Sequence, residues 1–128
     1  MNLPLSQIFI SGHSPQEPEL PELLKYSSQT AKQHLGHSSY SLYGHDSLRS
    51  FISDNFSPEV VWAYDCLKPY SYKADLGKFC IAYCLGGWYA DVSLKFLKAI
   101  SSVDQSVHMI YFNDLGDGLL PGRLSYSV

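Results

Sequence analysis

Apolar and polar positions along this chain switch between two periods, and the switches mark its elements. The run Gln7-Ile8-Phe9-Ile10, closed by Ser11-Gly12, predicts a buried strand. Pro15, Pro18 and Pro21 make His13 to Pro21 a loop. Glu22 to Leu35 then reads as a helix with Leu23, Leu24, Ser27, Ala31 and Leu35 near one face, stopped by Gly36. Ser39 to Tyr43 alternates as a strand does. After a turn at Gly44-His45, Asp46 is placed to N-cap a helix with Leu48, Phe51, Ile52 and Phe56 on one stripe. Ser57 is placed to cap a short helix from Glu59 to Leu67. The strongest helical pattern is Ser71 to Leu85, where Tyr72, Leu76, Phe79, Cys80 and Tyr83 recur at steps of three and four. Gly86-Gly87 stops it. Trp88 to Leu94 and Val107 to Phe112 read as strands, Asn113 to Gly122 as turns, and Ser125 to Val128 as the start of a further strand.

Strands separated by helices predict an α/β fold, a largely parallel sheet with helices on its faces. Ligands of such sheets sit beyond the carboxyl ends of the strands. Asp91, late in its strand, falls there.

Composition narrows the function. At 128 residues, 45% hydrophobic and 16% charged, the chain suits one domain with a real core. Its net charge of −3 and lack of a basic stretch exclude a surface that tracks nucleic-acid phosphates. No apolar run approaches the roughly 20 residues of a transmembrane segment. Met1 to Ile10 lacks a basic region and does not read as a secretory signal. Cys66, Cys80 and Cys84, without metal-type spacing, read as reduced thiols of a cytosolic core. Trp62 reads as a packing residue. His34 and His37 read as surface histidines helping to close a helix. Asn113 to Gly118 reads as a turn rather than a calcium loop.

The chemistry gathers in Lys73-Ala74-Asp75-Leu76-Gly77-Lys78 and Gly86-Gly87-Trp88-Tyr89-Ala90-Asp91-Val92-Ser93. One helix displays an acid and a base three apart, a double glycine reverses the backbone, and a strand projects an acid at its end. This set suits a nucleotide diphosphate held through a divalent cation, since a hard metal takes carboxylate oxygens and neutralises a diphosphate. Gly86 and Gly87 would let the backbone approach such a ligand closely. Taken singly, Asp75 and Lys78 also read as a surface ion pair, and Asp91 as a turn former.

The pattern KADxxK followed by GGxYxDxS resembles glycosyltransferases of the GT-A fold. It is most similar to family 32, which includes yeast mannosyltransferases and bacterial capsule and lipopolysaccharide sugar transferases. Ile8 to Gly12, and Leu42 to Asp46 with Arg49, Phe51 and Ile52, resemble the family's first strand and its second strand and helix. The resemblance spans roughly residues 7 to 95. It implies a Rossmann-like sheet with helices on both faces and transfer of a hexose from a nucleotide-diphosphate sugar to a glycan or lipid-linked acceptor, with retention. It also implies that the chain is the N-terminal, donor-binding part of a domain about twice as long. Ile8, Phe9 and Ile10 would flank the nucleotide base, and Asp75 would hold the donor sugar. Lys78, at a position usually held by Arg, would offset the diphosphate charge. Gly87 and Tyr89 would line the donor site, and Asp91 would position the ribose and a Mn²⁺ or Mg²⁺ ion. Of the Trp88 and Tyr89 rings, one is expected in the core and one beside the pocket. Ser93 stands where the family has a second, metal-binding Asp, and a neutral hydroxyl is a weaker ligand for a hard cation. A catalytically inactive or truncated nucleotide-sugar-binding module is therefore the alternative. The implied location is cytoplasmic, peripheral at the inner face of a membrane.

Overall fold

A computed structural model describes residues 3–11, 19–100, 106 and 109. The elements are β1 (Leu3–Ile8), α1 (Glu22–His34), β2 (His37–Tyr43), α2 (His45–Asn55), α3 (Pro58–Cys66), α4 (Tyr70–Leu85) and β3 (Trp88–Tyr89). The three strands form one sheet in the order β2-β1-β3. Both pairings are parallel: Leu5 stands opposite Tyr40 and Trp88, and Ser6 opposite Ser41 and Tyr89. All of the expected strand at 107–112 but residue 109, together with the tail 113–122, the strand start at 125–128 and the loop prolines 15 and 18, lies outside the described residues.

The sheet separates two cores. Leu5 packs with Ala31 and Leu35 of the α1 side and with Ala90, joined by Tyr40 and Trp88. Ile8 packs on the other face with Leu48, Ile52, Tyr64, Cys80 and Ile81 from α2, α3 and α4, joined by Tyr43 and Tyr89. Alternate residues of β1 thus face opposite helix layers, as the period-two geometry of a strand requires. Helices on both faces of a parallel sheet match the α/β expectation.

The expected first strand, Gln7 to Ile10, is displaced toward the N-terminus. β1 begins at Leu3, and its polar residues Ser6 and Gln7 are as buried as its apolar ones. Gln7 is tolerated because its Oε1 accepts from Ser28 Oγ at 2.5 Å and from Tyr40 OH at 2.9 Å. The Gln7 Nε2 and Ser6 Oγ have no partner among the described residues. Each such buried orphan costs about 1–3 kcal/mol. β3 is shorter than the expected 88–94, because the chain leaves the sheet after Tyr89 and turns at Asp91.

The buried side of α4 differs from the apolar stripe of the sequence. Lys73, Gly77, Cys80 and Ile81 are buried, whereas Tyr72, Phe79 and Tyr83 are exposed. The reason is Gly77. A Cβ there would meet the Leu48 methyls at 2.5 and 2.7 Å, so α2 seats a leucine where a larger residue would hold the helices apart. Leu23 is likewise exposed on α1, whose buried residues are Ser28, Thr30 and Ala31.

Helix ends show further departures. Gly44, not Asp46, holds the N-cap of α2, and its N–H donates to Ser47 Oγ at 2.8 Å. Ser57 holds the N-cap of α3 without bonding the helix amides. Its hydroxyl serves the Glu59 carboxylate, whose pKa is lowered first by its own backbone N–H and then by Ser57. His34 and His37 do close α1: their Nδ1 atoms lie 3.0 Å from the Thr30 and Leu35 carbonyls, which can only accept. Gly36 follows an extended Leu35 and has no positive φ. Cys80 is a core thiol, but Cys66 and Cys84 are exposed, against the expectation for all three.

Lys73 is the costliest buried group on α4. Its ammonium donates to the Tyr64 carbonyl at 2.6 Å and lies 4.5 Å from the Tyr64 ring centroid. That carbonyl sits in the last turn of α3, where it also accepts from Leu67 N–H at 3.2 Å and where a cation is favoured. Tyr64 OH in turn donates to the His45 carbonyl at 3.2 Å, and burial pushes its phenol up to about 12. Burial lowers the Lys73 pKa below the ordinary lysine value, against an opposing pull from Asp65. The folded state therefore gives up this proton before the unfolded state does, and the lysine's contribution to stability rises with pH through that window. Lys73→Met should remove this rise. In urea melts at stepped pH from neutral to 10, wild type should gain stability relative to Lys73→Met, and a constant difference would refute the burial cost.

Candidate functional site

Connectivity creates the site. The chain runs from β1 to β2 on one side and then crosses to β3 on the other. The carboxyl ends of β1 and β3 lie at this switch, the position at which sheets of this type take their ligands. Phe9 and Ile10 leave β1 there, half-buried, and Phe9 N–H donates to the Tyr43 carbonyl at 2.9 Å. Ile8, expected beside a nucleotide base, turns its side chain into the core instead.

Asp91 begins a turn just past β3. Its Oδ1 accepts both from Ser93 N–H at 2.9 Å and from Ser93 Oγ at 2.7 Å. Both bonds use one oxygen, so the second carboxylate oxygen takes no part in the turn. Asp75 lies in the second turn of α4, exposed and paired with Lys78 Nζ at 3.2 Å. That is the surface ion pair the spacing allows, worth a few tenths of a kcal/mol.

Tyr89 feels the charge of both acids. Its phenol is shifted upward, first by burial and then by the negative charges of Asp91 and Asp75. Residues 16 apart in sequence thus act on one hydroxyl at the carboxyl edge. Tyr89 packs on the α4 side of the sheet and Trp88 on the α1 side, where its Nε1 donates to the Gly36 carbonyl at 3.1 Å. Both rings thus pack against a core, Trp88 on one face of the sheet and Tyr89 on the other.

The double glycine ends α4, as its sequence predicts. Gly86 (φ +62°) caps α4 and Gly87 follows at φ +79°. The close approach made by Gly87 is to the β1 backbone: a Cβ there would strike the Pro4 carbonyl and lie 2.7 Å from Pro4 Cγ. Trp62 is 70% exposed and does not pack in the core.

Among the described residues no group of three or more His, Cys, Asp or Glu could hold a metal ion. Magnesium-type sites commonly use one or two carboxylates and complete their shell with water and substrate phosphates. Asp91 with the Ser93 hydroxyl fits an ion of that kind, and does not make an all-protein cage. Sequence reading missed Lys73 and its tie to Tyr64. Its position two residues before Asp75 was visible, but its burial against a helix end was not.

Over 95 residues, 73% of this chain, the sequence is 33% identical to an uncharacterized glycosyltransferase of Acanthamoeba polyphaga mimivirus. The matched stretch is 36% of that protein, so the chain spans little more than a third of its relative's length. No protein-family model matches the chain. No solved structure matches it. The chain is thus an α/β sheet similar, over most of its length, to a protein named as a glycosyltransferase.

Proposed function

We propose that this chain is the donor-binding part of a GT-A-type, family 32-like glycosyltransferase, taking a nucleotide-diphosphate sugar and serving transfer of its hexose, with retention, to a glycan or lipid-linked acceptor. The observation that carries the reading is the turn just past β3 at the switch of the sheet, where Asp91 holds Ser93 through one carboxylate oxygen and keeps the other out of the turn. The similarity to the mimiviral glycosyltransferase supports it. In this reading Asp75 takes the donor's sugar hydroxyls and Lys78 shifts from Asp75 toward the diphosphate. Asp91 orients the ribose and holds a Mn²⁺ or Mg²⁺ ion, with Ser93 as a neutral second group. A bound divalent ion supplies charge neutralisation to the leaving diphosphate. The protein's own contribution is orientation and fixed electrostatics at the reacting carbon. The reading places the chain in the cytoplasm, peripheral to a membrane.

One observation favours the second reading, an inactive nucleotide-sugar-binding module. Ser93 is engaged by Asp91 in a turn and brings no charge to a cation. Thermal melts with UDP or GDP, each with and without Mn²⁺, test both. A nucleotide at about 100 times its dissociation constant adds roughly 2.7 kcal/mol to the folded state, a rise on the order of 10 °C. A metal-dependent rise with one nucleotide is expected. A rise without any metal effect favours the inactive module, and no rise with either nucleotide refutes the donor site.

A further inference from the structure

We infer that the outer face formed by α1 and residues 94–98 is a docking surface for an anionic lipid bilayer. The segment after the Asp91 turn runs along α1: Phe96 N–H donates to Thr30 Oγ1 at 2.8 Å, and Ile100 N–H to the His34 carbonyl at 3.2 Å. Lys95 Nζ stands 5.1 Å from the Tyr26 ring centroid, which fixes the segment against the first half of the helix. This arrangement leaves Leu23 (85%) and Tyr26 exposed on α1, with Leu94 and Leu97 (76%) exposed beside them. Lys95 and Lys98 flank the leucines. The two segments carry four lysines against one glutamate, Glu22, which is already paired with Lys25 at 3.3 Å. Lys25 is thus neutralised and Lys32 lies over the Tyr40 ring, so Lys95 and Lys98 are the cations beside the exposed leucines, in a chain whose net charge is −3.

Exposed leucines interleaved with lysines suit an interface where apolar groups enter the acyl boundary and ammonium groups reach the headgroups. Arginine, which would favour nucleic acid, is missing from these two segments, and of their two aromatic rings Phe96 packs against the core and Tyr26 lies under Lys95. The face adjoins Asp91 in sequence, so a chain bound this way holds the candidate site beside the bilayer. That gives the peripheral location above a physical basis. The surface does not need a donor site, and its test uses no nucleotide, so its failure leaves the donor reading standing.

The test is co-sedimentation of the 128-residue chain with vesicles of phosphatidylcholine alone or with phosphatidylglycerol added. Binding is expected to the anionic vesicles, to fall as salt is raised, and to be weak on neutral ones. The double variant Lys95→Glu/Lys98→Glu should weaken it at least about tenfold, and Leu97→Ser should weaken it as well. Lys68→Glu, an exposed charge reversal outside the face, should leave it unchanged. Unaltered melting of the variants separates a lost surface from a lost fold. Equal binding to neutral vesicles, no binding at low salt, wild-type binding by the double variant, or a solution dimer abolished by Leu97→Ser would each overturn the proposal.

Discussion

Gly87→Ala should destabilise the chain by about 3 kcal/mol or more. An L-residue at positive φ costs about 1–2 kcal/mol, and forcing a methyl into packed atoms costs about 1–3 kcal/mol more. Both apply here, because φ is +79° and the added Cβ meets the Pro4 carbonyl, which is backbone and cannot rotate away. The position also joins α4 to β3, so relief of the clash moves the strand that carries Tyr89. A fall in melting temperature on the order of 10 °C is expected. Gly86→Ala is the comparison, since nothing lies within 4 Å of its Cβ and only the backbone cost remains. Equal losses in the two variants would show that the Pro4 contact contributes nothing.

Asp91→Asn should abolish the metal-dependent rise caused by nucleotide while leaving the ligand-free melt nearly unchanged. Asparagine keeps an oxygen for Ser93 N–H and Oγ, so the turn survives, and only the charge is lost. Losing a charged hydrogen bond and a metal ligand should weaken binding about 100-fold. At the same nucleotide concentration the added stability falls from about 2.7 to about 0.4 kcal/mol. A full nucleotide shift in the variant would remove Asp91 from the site. A large drop in the ligand-free melt would instead make Asp91 a structural turn residue.

Much of this was legible in the sequence, and the parts that were not have physical causes. Helix positions were visible because glycine and proline punctuate the chain: the 22–35 and 71–85 expectations match α1 and α4 to within a residue. Which face of α4 is buried was hidden, because the helix approaches its neighbour through its smallest residue. Gly77 adds nothing to an apolar stripe, while exposed Tyr72, Phe79 and Tyr83 dominate it. The first strand was misplaced for the converse reason. Pro4 and Ser6 break the apolar run ahead of Gln7, although Ser6 is buried, and Ser28 and Tyr40, distant in sequence, make Gln7 acceptable inside. At the candidate site, Asp75, Lys78 and Asp91 stood out in the motif. The role of Gly87 did not, since a close approach to a ligand and one to Pro4 demand the same residue.

The pairing of β3 with β1 also bears on how the chain assembles. β1, α1 and β2 are neighbours in sequence and can form early as one crossover unit. β3 must arrive from the far side of three helices to pair only Trp88 and Tyr89 with Leu5 and Ser6. Closing that long loop is a late, entropically costly step rewarded by few backbone bonds. Detachment of β3 is correspondingly the cheapest way to open the sheet. Asp91 would leave with it while the first crossover unit stayed folded, so the Asp91 turn holds its place beside β1 only in the fully closed chain.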